Sequence, residues 1–380
     1  MRTLQIGMNW FPSEGGSGLD RMFYGLVEHL PDLGVRTRGL VHGSDGQLEH
    51  AGANLQAFSS RDDSVVRRLW GVRRAVSTEL EERPYDLVAA HFPLYALPIL
   101  DRVGGAVPLV VHFHGPWAFE SAMAGAGAVE ARVKSLIETG VYRRADRFIV
   151  LSRAFRNLLV RRYDVNPSRV DVVPGGVDVA RFQCQQSQSD AREHLGWPVD
   201  RPIILSVRRL VKRVGLESLV SAMERVRARV PDVLLLMAGR GPRAESLERQ
   251  IRDADLDDHV RLVGFVPDDD LPVAYRAADI SVMPTRALEG FGLSAVESLA
   301  AGTPVIVTPV GGLPEVVGDL SEELIVGDGS PGALAARLAA VLQGQIDLPT
   351  SSACRRYARS RFAWPVVASQ TQDVYEQVIQ

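Results

Sequence analysis

The sequence predicts an α/β protein of two doubly wound parallel-sheet domains facing a central cleft, and three observations carry that prediction. Short apolar runs recur along the 380 residues. Most are uninterrupted rather than alternating, as strands buried on both faces of a parallel sheet are. Helical patterns separate the runs, which makes βαβ units. The length suffices for two domains of ordinary size.

The first strand is expected at 4–8, followed by Pro12-Ser-Glu-Gly-Gly-Ser-Gly18 and an apolar-periodic helix over 19–30. A helix carrying Arg67, Arg68, Arg73 and Arg74 comes next, with Val65, Leu69, Trp70, Val72 and Val76 as its apolar positions. These read as a core-facing stripe under a solvated arginine face; peripheral contact with an anionic membrane is the alternative. Strands are expected at 87–90, 109–113, 148–151 and 170–173. Val173-Pro-Gly-Gly-Val-Asp178 is turn-rich, and 183–190 is polar and dense in Gln and Ser. This composition sets an N-terminal domain at 1–182, a linker at 183–200 and a second domain at 201–360. Strands in the second domain are expected at 203–207, 233–238, 260–263, 280–283 and 305–308. The final segment, 361–380, reads as a helix with apolar residues at Val366, Val367, Tyr375 and Val378.

Composition narrows the function classes. Apolar residues make up 46% and charged residues 23%, the proportions of a soluble globular protein. A net charge of -3 gives no global attraction to nucleic acid. Cys184 and Cys354 are too few for a disulfide framework or a four-cysteine zinc site, so a reducing compartment, the cytoplasm, fits. No apolar run approaches the roughly 18 residues of a spanning helix. The segment from Met1 to Trp10 reads as a buried strand rather than a signal peptide.

The segment Glu289-Gly-Phe-Gly-Leu-Ser-Ala-Val-Glu297 is the most informative in the chain. A strand, a tight glycine turn and a helix N-terminus in that order make a site for an anion such as phosphate. The two carboxylates would repel phosphate and suit hydroxyl groups beside it, so the pattern reads as a nucleotide sugar. Arg208, Arg209, Lys212 and Arg213 follow the strand at 203–207, where a diphosphate would meet charge-assisted donors. His112 and His114 end the strand at 109–113 and share one side of it; His91 ends another. Each is either a polar strand end or a ligand contact. Gly15 and Gly16 follow the first strand and either let backbone approach a ligand or form a flexible connection. Asp255-Leu-Asp257 and Asp268-Asp-Asp270 read as a helix end and a helix start rather than as metal sites, and no His/Cys cluster points to zinc.

Taken together, these motifs resemble the group 1 (family 4) retaining glycosyltransferases of GT-B fold, over essentially the whole length. The resemblance is carried by Gly15-Gly16, His114-Gly115, Val173-Pro-Gly-Gly-Val-Asp178, Arg209-Leu210, Gly239-Arg-Gly-Pro242, Val263-Gly-Phe-Val-Pro267 and, most specifically, the stretch from Met283 to Val305 with its Glu-x7-Glu. It implies two Rossmann-like domains and a nucleoside-diphosphate sugar as donor substrate, UDP being the commonest nucleotide, with no cofactor and no metal. Glu297 would bind the ribose hydroxyls and Glu289 would contact the donor sugar near the reacting carbon. Gly292, Leu293 and Ser294 would present backbone groups to the diphosphate, with Phe291 in the same donor-binding turn. Gly264, Phe265 and Val266 would lie beside the base. Gly16, next to Gly15, would approach the phosphates from the opposite domain, and His114 would contact the sugar. The helix around Trp364 would cross back to the N-terminal domain.

Two departures from the family pattern stand out. The family's Arg-Leu-x-x-x-Lys-Gly has Val214 at the Lys position, so Arg209 and Arg213 are expected to share the diphosphate. Gly175 replaces the usual Asn of the Pro-Asn-Gly-Val-Asp turn. The acceptor is unreadable: a glycan, a lipid-linked sugar or a small molecule all fit. A non-catalytic nucleotide-sugar-binding subunit and a dinucleotide-dependent oxidoreductase are the alternatives. The missing Gly-x-Gly-x-x-Gly counts against the second.

Overall fold

The computed structural model describes residues 1–11, 16–43, 54–60, 62–105 and 107–380. Two compact units divide the chain, the first Met1–Gly176 with Trp364–Gln380 and the second Val177–Ala363.

The first unit is built on a seven-stranded parallel sheet in the order β3-β2-β1-β4-β5-β6-β7. Its strands are β1 (Arg2–Ile6), β2 (Arg36–His42), β3 (Leu55–Ser59), β4 (Leu87–Ala90), β5 (Leu109–Phe113), β6 (Arg147–Val150) and β7 (Val170–Val172). Leu4 and Ile6 of β1 join the apolar core that also holds Val72, Val76 and Val88. Thr3 and Gln5 alternate to the other face, where Gln5 Nε2 donates to the hydroxyl of Tyr375, 3.1 Å away. β2 and β3 are absent from the sequence reading. β2 opens Arg-Thr-Arg, and edge strand β3 is buried only at Leu55 and Phe58, so neither shows a continuous apolar run.

The Val65–Glu82 helix corrects the expected stripe. Val72 and Val76 are buried and Leu69 packs against the core, but Val65 and Trp70 are exposed, Trp70 by 72%. The arginine face is only partly solvated. Arg68 Nη1 donates to the Tyr95 hydroxyl at 3.3 Å, and Arg73 pairs with Asp101 at 2.6 Å. The Trp364–Ile379 helix belongs to the first unit, and its Trp364 ring lies where a Cβ on Gly25 would sit, 1.9 Å from that position. Any larger residue at 25 would displace the ring.

The second unit holds a five-stranded parallel sheet in the order β10-β9-β8-β11-β12. Its strands are β8 (Ile203–Val207), β9 (Leu234–Ala238), β10 (Val260–Gly264), β11 (Ile280–Met283) and β12 (Val305–Val307). The segment read from composition as a linker, 183–200, contains the Gln188–Leu195 helix. Ser187 and Asp190 form a capping box that starts it. Buried Arg192 then ties it to the carbonyls of Ala277, Val199 and Arg201 and to Asp279 at 2.8 Å. The polar composition reflects capping and a buried arginine, and the helix is an integral part of this unit. The Ser351–Phe362 helix, into which the expected terminal segment 361–380 reaches, also belongs here.

Candidate functional site

In a doubly wound sheet, ligands bind at the carboxyl ends of the strands where the strand order reverses. In the second unit the chain leaves β8 towards β9 and β10, then returns to β11 on its other side. Arg208, one residue beyond β8, and Glu289, in the loop after β11, meet at that point in an ion pair through Arg208 Nη2. The two side chains are only 9% and 12% exposed. Thr285 Oγ1 donates to the same carboxylate at 3.3 Å. Arg213 Nη1 donates to the carbonyl of Leu288 at 2.8 Å, and Arg286 N donates back to the Arg213 carbonyl at 2.9 Å. Leu288 itself sits at φ 53°, a left-handed conformation that costs a branched side chain energy and that this bracing offsets.

Glycines bring backbone close around the pair. A Cβ on Gly239, which has φ 142°, would lie 1.9 Å from the Arg208 carbonyl, and one on Gly311 would lie 1.9 Å from that of Glu289. Gly292, at φ 102°, caps the Leu293–Ala301 helix without a side-chain oxygen. The first N–H groups of that helix, on Leu293 and Ser294, are therefore left for a ligand, with the positive end of the dipole behind them. Glu297, one turn in and buried, accepts from the Tyr275 hydroxyl at 3.2 Å. Burial, and then the Glu297 charge, push the Tyr275 pKa well above its usual value, so the phenol stays a donor.

The other expected residues divide into two groups. Arg209 and Lys212 are exposed, and among the described residues neither is held in an ion pair. Phe265 is 51% exposed, with the Arg240 guanidinium 5.3 Å from its ring centre and Gly264 at φ 74° behind it, so the end of β10 offers a flat cationic and aromatic platform. Val266 beside it is half-buried. The side chain of Phe291 is buried edge-on against Phe362, 5.6 Å between ring centres, and so anchors the turn from below. Val214, at the position of the family's Lys, is buried in the core. Arg208, expected among the cations for a diphosphate, is instead engaged by Glu289, a pairing across 81 positions that the sequence does not signal.

In the first unit the reversal lies between β1 and β4. The ends of β4 and β5 bring His91, His112 and His114 together as stacked rings, His91 to His112 at 4.2 Å and His91 to His114 at 5.4 Å. Burial holds His114 down to about 4, and burial with mutual repulsion holds His91 and His112 well below the usual histidine range. All three are neutral near pH 7. Asp20 accepts from the backbone of Asn9 at 3.0 Å and of Ser17 at 2.8 Å, fixing both ends of the glycine loop to the Gly18–His29 helix. Gly16 lies against Phe11; Gly15 lies outside the described residues.

Asp255 and Asp257 follow the Ala244–Asp253 helix, and Asp270 precedes the Leu271–Ala277 helix. Among the described residues, no three His, Cys, Asp or Glu side chains are grouped as a metal site.

Comparison with known proteins agrees with this architecture. Residues 16–181 match the Glycosyltransferase Family 4 model and residues 187–361 match the Glycosyl transferases group 1 model. The chain is 31% identical to D-inositol 3-phosphate glycosyltransferase of Salinispora arenicola, across 93% of this chain and 80% of that protein. It is 32% identical to the enzyme of that name from Salinispora tropica, across 93% and 74%. Among solved structures it is similar to sucrose-phosphate synthase of Thermosynechococcus elongatus, at 25% identity and TM-score 0.80, covering 99% of this chain and 98% of that one. HepE of Anabaena, solved with UDP-glucose, shares the fold at TM-score 0.78 and 21% identity, covering 99% and 100%. The two parallel-sheet units are those of a GT-B fold, and the chain belongs to the group 1 (family 4) glycosyltransferases.

Proposed function

We propose that the chain is a retaining glycosyltransferase that moves a sugar from a nucleoside diphosphate, UDP before GDP or ADP, to an acceptor hydroxyl without a metal ion. The observation that carries this is the Arg208–Glu289 pair at the β8/β11 reversal, beside an uncapped helix start with Glu297 one turn in. The N–H groups of Leu293 and Ser294 receive the diphosphate, aided by Arg209 and Arg213. Glu297 accepts from the ribose hydroxyls and Phe265 stacks beside the base. Glu289, oriented by Arg208, faces the sugar near its reacting carbon; in the first unit, His114 is the group that offers a hydrogen bond to a sugar hydroxyl. As the bond from the anomeric carbon to the diphosphate oxygen breaks, the electron pair leaves with the phosphate. Cations and helix N–H groups stabilise that charge. The acceptor oxygen bonds to the anomeric carbon on the same face, and its proton passes to the departing phosphate oxygen.

Thermal-shift titration with UDP-, GDP- and ADP-glucose tests the donor class, because a true donor stabilises by mass action. A shift with one of the three is expected; none with any contradicts the reading. The relatives' name makes D-inositol 3-phosphate the first acceptor to try. NMR of the product then reports the anomeric configuration, and inversion overturns the retaining assignment. Full turnover in EDTA is expected; loss in EDTA with rescue by magnesium overturns metal independence.

A second reading concerns the Val65–Glu82 helix. We propose that its exposed Val65, Val66 and Trp70, flanked by exposed Arg67 and Arg74, touch an anionic membrane surface. Sedimentation with phosphatidylglycerol vesicles, but not with phosphatidylcholine vesicles, is expected, with loss in Trp70→Ser. Equal recovery with both lipids contradicts it.

A further inference from the structure

The polar row on one face of β1 leads to His114 through a chain of hydrogen bonds whose direction is set at its far end. Thr37 Oγ1 donates to the backbone carbonyl of Val35 at 3.3 Å. A carbonyl only accepts, so the Thr37 hydroxyl proton is committed there. Its oxygen therefore accepts from Thr3 Oγ1, 3.5 Å away, and the Thr3 oxygen in turn accepts from Gln5 Nε2 at 3.3 Å. Gln5 Nε2 also donates to the Tyr375 hydroxyl at 3.1 Å. With its NH2 group turned to Thr3 and Tyr375, the Gln5 carbonyl oxygen faces His91 Nε2 at 3.1 Å, and the Tyr375 hydroxyl, 3.4 Å from that oxygen, turns its proton to His112 Nε2 at 2.8 Å. His91 Nε2 must then carry the proton, and His91 Nδ1 is a lone pair. That lone pair lies 3.2 Å from His114 Nε2, which must be the donor.

We infer that this relay, from the Val35 carbonyl through Thr37, Thr3, Gln5 and His91, holds His114 as its Nε2–H tautomer and makes Nδ1 a bare hydrogen-bond acceptor. Gln5 and His91 are thereby positioning residues. Thr3, Gln5, Thr37 and His91 are all at most 5% exposed, so water does not compete for their protons. All belong to the same unit. The consequence is chemical selectivity at His114. An accepting Nδ1 takes a hydroxyl of a sugar and repels a phosphate oxygen, which has only lone pairs to offer. This step rests on the proposed donor reading; the tautomer does not.

Long-range proton–nitrogen NMR of the full chain labelled with ¹⁵N-histidine reads the tautomer without any ligand, with His114→Gln identifying its signals among the eight histidines. In the wild type, His114 is expected with Nε2 protonated and Nδ1 bare. Nδ1 protonated instead overturns the relay, and that result needs no further variant. His91→Phe keeps the ring volume and removes the acceptor; mixed His114 tautomers and a fall in kcat/KM of about tenfold are expected from the lost hydrogen bond. His91→Asn puts an amide oxygen near the former Nδ1 and restores both. A His114 tautomer unchanged in His91→Phe also overturns the relay. Turnover of His114→Ala is a separate arm. The expected tautomer with unimpaired turnover keeps the relay and removes His114 from the donor site. An Nδ1–H tautomer with abolished turnover does the reverse.

Discussion

The strand-reversal points of the two units are built from opposite materials. In the second unit the reversal carries full charges: the Arg208–Glu289 pair, the exposed Arg209 and Lys212, and a helix start whose dipole is uncapped. In the first it is neutral, with three stacked histidines held uncharged by burial and a glutamine–threonine chain behind them. Charge suits a diphosphate, which is bound and then must leave as an anion. Neutral donors and acceptors suit hydroxyl groups, which a misplaced charge would discriminate poorly. On the proposed reading, the same topology would serve two chemistries by changing what stands at the strand ends.

The largest expected effect comes from breaking the charged side. Arg208→Ala leaves the Glu289 carboxylate nearly buried and without its cation, which should cost about 4 kcal/mol of stability and abolish turnover. Arg208→Met with Glu289→Leu should recover most of the stability in urea unfolding and none of the turnover. Recovery of turnover by the double variant would mean that the pair is structural only.

The neutral side breaks with acid. A histidine whose folded pKa is depressed takes up its proton on unfolding, so stability is intact above the unfolded value of about 6.5 and is lost as pH falls below it. For His114 the loss runs down to about 4, and His91 and His112, held well below the usual histidine range by burial, add to it. Each should contribute about 1.4 kcal/mol per pH unit in that window. Urea midpoints at pH 7.5, 6 and 5 check this, with a shallower fall expected in His112→Phe. A flat profile would mean that water or a charge reaches these rings.

Glu297→Ala should weaken binding of the free nucleoside diphosphate by roughly 1.5–3 kcal/mol, the range of hydrogen bonds to a charged acceptor. Calorimetry measures it, and unchanged affinity would remove Glu297 from the ribose. The smallest effect separates two arginines that the sequence pairs. Arg213 donates to the Leu288 carbonyl, so Arg213→Ala should lower stability by about 1 kcal/mol as well as turnover. Arg209 is exposed, so Arg209→Ala should lower turnover alone.

What was legible in the sequence is what is local. Strands such as Leu109–Phe113 and Ile280–Met283 are buried on both faces, and their apolar runs show it. The Glu289–Glu297 segment carries its glycine turn and helix start within nine residues. β2, an interior strand that opens Arg-Thr-Arg, and edge strand β3, which is covered only in part, lack that signature. The Gln188–Leu195 helix is polar because it buries only Ala191 and Arg192, the second a residue that composition assigns to solvent. The Arg208–Glu289 pair spans 81 positions and the Gln5–Tyr375 bond 370. No spacing rule reaches that far; such pairs follow only from strand order. Trp70 shows the opposite failure, an apolar residue at helical spacing that the fold leaves exposed.

The central claim is that the charged reversal of the second unit receives the nucleoside diphosphate, and hydrogen exchange on the full chain tests it directly. UDP, GDP and ADP would each be added at saturating concentration and backbone exchange followed by mass spectrometry. The account predicts that one of the three slows exchange at 289–297 and 208–213, led by the N–H groups of Leu293 and Ser294, and that Glu297→Ala diminishes the protection. Protection by none of the nucleotides at 289–297, or protection there that Glu297→Ala leaves intact, would contradict it.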